Sequence, residues 1–288
     1  MKIKTLSMLL VGISVTLAIA PFGSALAAST TAVVTPANLQ GWQIQTSGTG
    51  QTVTFEQGPG TPPLGTGSAE LAVGPNGGGA AQLRQPQYGG TKLSDLTALS
   101  YSTYVTQFGS GGQAPYIILN IDNDNNGTVD DQLFFEPVYQ NGGYSGDTVP
   151  NQCPTSGPLC VELNEWQTWD ALAGGWWAVS AGTFGPPLIT LDTYIAAHPD
   201  ATIVNSSTGL GGLRIVAGFG AGAWDNFIGN VDAFTVGVGS NSTTYDFELY
   251  STPSNKAQCK NGGWATFNPP AGPFKNQGDC IQYFNTGK

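Results

Sequence analysis

The residues best suited to bind a metal ion lie in one acidic loop, Asp122–Asp131, with the sequence DNDNNGTVDD. Side-chain oxygens occupy positions 1, 3, 5 and 9 of this loop, and glycine occupies position 6. Calcium takes about six to eight oxygen ligands, and a glycine lets the chain turn sharply around the ion. The candidate ligands are the side chains of Asp122, Asp124, Asn126, Asp130 and Asp131, and the backbone carbonyl of Thr128. We therefore expect calcium here, although hairpin turns are often rich in Asn and Asp without binding a metal.

The same loop lacks the last ligand of a helical EF-hand. Leu133 stands at position 12, where an EF-hand has a bidentate glutamate, and the flanking segments are predicted strands rather than helices. The loop resembles the D-x-D-x-D-G-x-x-D calcium loops in β-hairpins of extracellular propellers. That resemblance implies that Asp131 or Glu136 is able to assist. The missing glutamate predicts a modest affinity, and we assign the ion a structural role.

Five tryptophans are candidates for binding the flat apolar faces of sugars. Four of them fall within twelve residues and the fifth lies near a later loop. They are Trp166, Trp169, Trp176, Trp177 and Trp224. Because tryptophan buries a large apolar area, the alternative is that most of them fill the core. We expect at least one to be exposed as a stacking platform.

No arrangement of residues in the sequence specifies a catalytic site. Glycoside hydrolysis needs two carboxylates at a set separation, and none of Glu136, Glu162, Glu165 and Asp170 is singled out by its spacing. The single histidine, His198, has no candidate nucleophile beside it in sequence. Whether the protein is an enzyme stays open, and a non-catalytic protein is favoured. The enzymatic alternative is a glycosidase or polysaccharide lyase that uses Glu136 with a neighbouring carboxylate.

The four cysteines predict disulfides in an exported protein. Four cysteines allow three pairings, and proximity in sequence favours Cys153–Cys160 and Cys259–Cys280. Zinc binding is the alternative. It is disfavoured because the spacings do not match zinc motifs and the only histidine is distant.

The N-terminus predicts export from the cell. Lys2 and Lys4 precede an apolar stretch from Leu6 to Ala20, and Ala25-Leu26-Ala27 matches a cleavage site. We therefore predict a signal peptide at residues 1–27 and a secreted, extracellular protein. A membrane anchor is the alternative, but the apolar stretch is shorter than the ~20 residues that a membrane span needs.

The charge of the mature chain excludes several classes of partner. After loss of the signal peptide it has 7 basic and 19 acidic residues. Nucleic acids and anionic membranes are improbable partners, because their phosphates need a basic surface. Divalent cations and sugar polymers stay open.

Composition and periodicity predict an all-β fold. Glycine and proline are abundant (41 and 19 residues), only 10% of residues are charged, and apolar and polar residues alternate between turns. The predicted strands are Thr52–Gln57, Ser68–Val73, Leu99–Gln107, Tyr116–Ile121, Gln132–Tyr139, Thr168–Leu172, Leu213–Phe219 and Asn230–Val238. One short helix is predicted after Thr190 as N-cap, ending at His198 before Pro199.

These patterns divide the mature chain into three parts. We predict an antiparallel β-sandwich over residues 28–239, a linker and short strand over 240–250, and a small disulfide-bounded C-terminal element over 251–288. The linker prediction rests on the polar run Gly239–Thr244.

Two resemblances to known proteins add to this interpretation. Phe55-Glu56, Gly65–Leu71 and Val231–Val236 resemble the opening and closing strands of jelly-roll carbohydrate-binding modules. That resemblance implies a jelly-roll sandwich in which Glu56 and Asp232 share a second calcium ion. The segment Cys259–Tyr283, of the form CKxGGWxxF…FKNQGxCxxY, resembles an element at the C-termini of secreted bacterial proteins of unassigned function.

Together these features predict a secreted, non-catalytic module that binds carbohydrate or a cell-surface polymer and contains calcium. A structural surface or matrix protein, assembled through its C-terminal element, is a further alternative. The oligomeric state is left open by the sequence.

Overall fold

The computed structural model describes residues 28–154, 159–249, 252–253, 255–267 and 271–287. The predicted signal peptide, residues 1–27, lies outside the described residues. Among the described residues, no helix is long and apolar enough to cross a membrane.

The described chain forms fourteen strands and two α-helices. The strands are β1 (Ala28–Val34), β2 (Gln43–Ser47), β3 (Thr52–Gln57), β4 (Gly67–Ala72), β5 (Ala80–Gln85), β6 (Leu96–Gln107), β7 (Tyr116–Asp122), β8 (Asp131–Phe135), β9 (Trp166–Asp170), β10 (Trp177–Ala178), β11 (Thr202–Ile203), β12 (Leu213–Gly218), β13 (Ile228–Val238) and β14 (Asn241–Phe247). The helices are α1 (Leu191–Ala197) and α2 (Gln277–Thr286).

The strands form two seven-stranded sheets packed as a sandwich. In the first, sheet I, the long strand β13 pairs along one edge with β6, which pairs with β9. Along its other edge β13 pairs first with β4 and then with β14, and these strands carry β3 and β1 at the outside. The second, sheet II, has the order β10-β8-β7-β12-β5-β2, with β11 beside the end of β7.

Apolar side chains fill the space between the sheets. Alternate residues of each strand point to opposite faces, so every second residue of sheet II faces sheet I. Ile117 and Leu119 of β7, Leu133 of β8, and Leu213 and Ile215 of β12 are fully buried in this way. Since burial of each such side chain stabilises the fold by about 1.5–3 kcal/mol, this alternation determines the register of the sheet.

The structure confirms the predicted β-sandwich of jelly-roll type and most of its predicted elements. Each predicted strand coincides with an observed strand, with ends that differ by a few residues. The predicted helix corresponds to α1, and the Thr190 hydroxyl caps it by accepting a hydrogen bond from the Thr193 N–H at 3.1 Å.

Four features differ from the prediction. The strands β1, β2, β5, β10 and β11 match no predicted strand. The first strand pairs in parallel with β14, so the sandwich is not antiparallel throughout. The segment predicted as a linker contains β14, whose residues from Asn241 onward pair with the end of β13. A second helix, α2, begins at the N-cap Asn276 and follows the glycine-rich part of the tail. Short polar strands and tail helices escape detection because their residues lack a clear apolar period.

The cysteines pair as proximity in sequence suggested. Cys153 is bonded to Cys160, and Cys259 to Cys280. The second disulfide lies in a small apolar cluster of the tail, with Phe267 among its buried members, separate from the main core. Two disulfides are consistent with an extracellular protein.

Gly218, at the end of β12, makes a close backbone contact that leaves no room for a side chain. Gly218 has a φ of +121°, and a Cβ at this position would lie 2.1 Å from the carbonyl oxygen of Gly79. That oxygen also accepts a hydrogen bond from the Phe219 N–H. We expect Gly218→Ala to lower the free energy of unfolding by about 1–3 kcal/mol, because the backbone must strain or shift.

Chemical denaturation of the variant measures this loss. The matched control is Gly78→Ala, since a Cβ at Gly78 meets no atom within 4 Å. Equal stabilities of the two variants would contradict the assignment of this close contact to Gly218.

Candidate functional site

A cleft of about 540 Å³ lies on the face of sheet II that points away from the core. Its floor comes from neighbouring strands, because Arg214 on β12 stands opposite Ile118 on β7, which stands opposite Phe134 on β8. In antiparallel strands such opposed residues point to the same face. The floor is therefore made by the residues that alternate with the core residues of the same strands.

Aromatic rings cover much of this floor. Trp177 of β10 stacks on Phe134, with ring centroids 3.9 Å apart and planes 11° from parallel. Tyr116 follows at 6.1 Å from Phe134, and Trp224 closes the row at 5.5 Å from Tyr116. Trp224 reaches the cleft from a short 3-10 helix after β12 rather than from a strand.

Polar groups interrupt the aromatic floor. The Arg214 Nη2 donates to the Asn120 Oδ1 at 2.6 Å, and the Gln132 Nε2 donates to the same oxygen at 2.8 Å. Arg214 and Gln132 line the cleft together with Gln113. The cleft thus offers amide and guanidinium groups beside aromatic faces, which is the mixture that small-molecule sites use for orientation and contact area.

Glu136 is the one carboxylate that lines the cleft among the described residues. It accepts a hydrogen bond from the Trp177 Nε1 at 2.8 Å. Burial raises the pKa of Glu136 to about 7, although the bond from Trp177 acts in the opposite direction. A retaining or inverting glycosidase needs a second carboxylate at a set distance, and the described lining does not supply one.

Two exposed phenylalanines form the rims of the cleft. Phe184 is 75% exposed and lies 6.4 Å from Trp177 between ring centroids, whereas Phe219 is 48% exposed and follows Gly218. Both have left-handed backbone conformations, with φ of +46° and +63°. A positive φ is uncommon for a bulky residue and costs on the order of 1–3 kcal/mol. The fold therefore holds two large apolar rings in solvent at a local energetic cost.

The structure separates the five predicted tryptophans. Trp177 and Trp224 line the cleft, but both are largely buried, so they contribute to its floor rather than to an open platform. Trp169 and Trp176 are fully buried in the core. Trp166 lies on sheet I, where its Nε1 donates to the Pro59 carbonyl at 2.9 Å.

Sequence reasoning missed the exposed rings and the arginine. Phe184 and Phe219 are each followed directly by a glycine, and Phe219 is also preceded by one. An aromatic residue between glycines is a weak signal in a chain with 41 glycines. Arg214 is an isolated charge within an apolar strand, and this is a signal that the sequence does offer.

The acidic loop connects β7 and β8, so it lies at the tip of a β-hairpin. Carboxylate oxygens of Asp122, Asp124 and Asp130 lie within 4.8 Å of one another. Asp122 accepts hydrogen bonds from the backbone N–H groups of Asp124, Asn126 and Gly127 at 2.7–3.2 Å. Burial would raise the pKa of Asp122, but these backbone bonds outweigh it, and the pKa lies below its usual range. Three converging carboxylates are a donor set that suits a hard divalent cation.

Two other predicted ligands, Asn126 and Asp131, have different surroundings. The Asn126 Oδ1 is held within the loop, where it accepts hydrogen bonds from the N–H and the hydroxyl of Thr128. Asp131 is buried and turns away from the cluster, accepting from the Ser180 N–H at 3.0 Å and from the Tyr194 hydroxyl at 3.0 Å. The position of Asp131 at the start of β8 explains this direction, because successive side chains of a strand point to opposite sides.

A second acidic cluster lies in sheet I around Asp232. Asp232 is fully buried and accepts from the backbone N–H groups of Leu64 at 2.9 Å and Phe247 at 3.0 Å. Its acidic neighbours are Asp246 and Glu248. Burial raises the pKa of Asp232 to about 6, and burial with repulsion from Glu248 and Asp232 raises that of Asp246 to about 7.

Glu56, which the resemblance placed with Asp232, contacts β13 two residues before Asp232. Its Oε1 accepts from the Asn230 Nδ2 at 2.7 Å, and its charge raises the pKa of Glu70, after the larger effect of burial. The two expected partners lie on β3 and β13, which are separated by β4.

Comparison with known proteins identifies structural neighbours but no sequence family. No protein-family model matches the chain, and no curated protein matches its sequence. The family 11 carbohydrate-binding module of the cellulosomal cellulase Lic26A-Cel5E of Clostridium thermocellum is similar in structure, with a TM-score of 0.34 and 10% identity over 70% of this chain and 89% of that chain. The family 11 module from the same organism in complex with a β-1,3-1,4-mixed-linked tetrasaccharide has a TM-score of 0.31 and 12% identity over 69% of this chain and 89% of that chain. At these low values the similarity identifies no ligand for this chain.

The second acidic cluster generates a prediction about pH. Asp232 and Asp246 hold protons in the folded protein at pH values where the unfolded chain has released them. The free energy of unfolding should therefore fall as pH rises from about 4 to about 7. In the presence of a chelator, we expect Asp246→Asn to reduce this fall by on the order of 2 kcal/mol.

Urea unfolding at pH 5 and at pH 8 measures the effect. Asp95→Asn, at an exposed aspartate, is the matched control and should keep the wild-type pH dependence. The prediction fails when both variants lose the same stability between the two pH values. Asp122 does not interfere, because its lowered pKa affects stability only at more acidic pH.

Proposed function

We propose that this protein is a secreted, non-catalytic module that binds carbohydrate in the cleft of sheet II. The observation that carries the proposal is the pair of exposed rings, Phe184 and Phe219, held at positive φ on either side of a floor of aromatic and amide groups. Backbone strain at exposed aromatic residues adds nothing to the core. It is understandable where those residues contact a ligand.

The chemistry of the cleft fits sugar rings better than wholly apolar ligands. A sugar has one face of C–H groups that packs on an aromatic ring, while its hydroxyls need hydrogen-bond donors and acceptors. Phe184 and Phe219 offer the former, and Gln113, Gln132 and Arg214 offer the latter. The open form of the cleft suits a segment of a chain rather than a molecule that must be enclosed.

We also propose that the hairpin loop binds calcium as a structural ion. The converging oxygens of Asp122, Asp124 and Asp130, with the backbone turning at Gly127, support this role. The loop contacts helix α1, since the Asn123 Nδ2 donates to the Tyr194 hydroxyl of that helix at 3.2 Å. An ion here would hold the end of the β7–β8 hairpin, whose other residues form the floor of the cleft.

The sugar-binding proposal predicts the effect of removing the rim. We expect Phe184→Ala and Phe219→Ala each to weaken binding to a retained polysaccharide about tenfold, or ~1.4 kcal/mol. The loss arises because each ring supplies contact area at the edge of the cleft. Affinity electrophoresis against a panel of soluble polysaccharides measures retention.

The matched control is Phe284→Ala, because Phe284 is also partly exposed but lies on α2 in the tail. Its retention should equal that of the wild type. The proposal is refuted when no polysaccharide is retained, or when the two rim variants bind as the wild type does.

The calcium proposal predicts a stability difference. We expect the melting temperature to be several degrees higher in millimolar calcium than in a chelator, because an ion that binds only the folded state stabilises it. Asp124→Asn should remove most of this difference, whereas Asp95→Asn, outside the loop, should retain it. Superimposed melting curves in calcium and in chelator would show that the loop is only a turn.

A further inference from the structure

Basic residues are scarce in the sandwich, and their placement is uneven. Between residues 28 and 249 there are 18 acidic residues and three basic ones, Arg84, Lys92 and Arg214. Lys92 is exposed and pairs with Asp200 at 3.0 Å, and this is the one ion pair among the described residues. The two arginines are therefore left without a carboxylate partner in a domain that is rich in carboxylates.

The two arginines also stand side by side. Arg214 on β12 is the register partner of Arg84 on β5, so both point to the cleft face of sheet II. Directly opposed residues of an antiparallel pair have Cβ atoms about 4.5–5.5 Å apart, and like charges at such positions are destabilising. Two of the three basic residues between positions 28 and 249, Arg84 and Arg214, therefore occupy one directly opposed pair.

Neutral groups satisfy these guanidinium groups only in part. Arg84 donates through Nε to the Gly211 carbonyl at 2.9 Å and through Nη1 to the Gln45 Oε1 at 2.6 Å. Arg214 donates through Nη2 to Asn120, but its Nε is buried and makes no hydrogen bond within the described structure. Only 7% of Arg214 is exposed, and it lines the cleft.

Such an arrangement is costly without an anion. Burial of a charge in a low-dielectric site is unfavourable unless the charge is paired and hydrogen-bonded. The pKa of Arg214 reflects this cost. Burial, and then the charge of Arg84, lower that pKa to about 10. An anion bound beside the pair would supply the missing acceptor and neutralise the repulsion between the two cations.

We propose that the cleft recognises an acidic polysaccharide and that Arg214 binds the carboxylate of a uronic acid residue, with Arg84 beside it adding positive charge. This inference rests on the proposed sugar-binding function and names the class of sugar. The planar guanidinium group matches the two oxygens of a carboxylate, and charge-assisted hydrogen bonds of this kind are about twice as strong as neutral ones. The rim phenylalanines then contact the faces of neighbouring sugar rings.

The overall charge of the domain makes this recognition selective. Acidic residues outnumber basic ones so strongly that a polyanion is repelled at long range, although salt at 0.15 M screens charges beyond about 8 Å. An acidic polymer can therefore bind only where a specific cationic site exists. Glu136, the other ionisable group of the cleft apart from tyrosines, has a pKa raised to about 7 by burial, which reduces its opposition to an anion in mildly acidic solution.

The test compares acidic polymers with their neutral derivatives at one fixed calcium concentration. Polygalacturonate, alginate and glucuronan are each used intact and after reduction of their carboxyl groups, with dextran sulfate and dextran as a sulfated and neutral pair. We expect at least one uronate polymer to lose about tenfold in affinity on carboxyl reduction. Dextran sulfate should bind no better than dextran, and preferential retention of dextran sulfate would replace the carboxylate by a sulfate ester.

Substitutions then locate the site. Arg214→Gln should weaken binding of the intact uronate polymer about tenfold and weaken binding of the reduced polymer by a clearly smaller factor, since a hydroxyl needs only a neutral donor. Arg214→Lys, which keeps the charge but not the planar donor pair, should fall between Arg214→Gln and the wild type. Lys92→Gln removes one positive charge from an exposed ion pair outside the cleft lining, and this variant should bind as the wild type does.

Two failures have different meanings. Equal binding of intact and reduced polymers, lost on substitution of Phe184 or Phe219, would overturn the acidic-sugar inference and leave the sugar-binding function standing. Retention of no polymer, acidic or neutral, would overturn both. Because the comparison of intact and reduced polymers uses the wild-type protein, it holds even where Arg214→Gln fails to fold.

Discussion

The strict alternation of side chains along sheet II is the constraint on which the rest of the structure depends. In β12, Leu213 and Ile215 are buried against sheet I, and this places Arg214 between them on the opposite face. The same burial on β7 and β8 aligns the rest of the cleft floor with it. A slip of one residue would exchange the two faces, so the hydrophobic core and the candidate site are specified together.

The loops complete what the sheet begins. The strands supply a flat floor, and the segments after β10 and β12 raise the rings of Phe184 and Phe219 at its edges. Both segments place a bulky residue at positive φ, a conformation that isolated chains avoid. The packing of the two sheets offsets the energetic cost of this local backbone strain. A cleft with such rims therefore requires a sandwich that is stable without them.

Charge is segregated within the sandwich. Carboxylates converge at the tip of the β7–β8 hairpin, and a second, more deeply buried group surrounds Asp232 in sheet I. The arginines lie apart from both, on the cleft face. The proposed cation binding at the hairpin and the proposed anion binding at the cleft would therefore be equilibria separate from proton binding to the buried carboxyls. At each of the three places, binding depends on whether the charged side chains lie next to charges of the same sign or of the opposite sign.

The sequence by itself determined the architecture and the position of the acidic hairpin. Period-two patterns identified eight of the fourteen strands but missed β5, which is buried throughout. The spacing of Asp122, Asp124 and Asp130 identified carboxylates that the structure brings together. Only the tertiary structure decided which tryptophans face the core, because Trp176 and Trp177 are neighbours in sequence but point to opposite sides of one short segment. It also placed Arg84 beside Arg214, 130 residues later in the chain. Pairing between distant strands depends on how the whole core packs, and no local pattern encodes it.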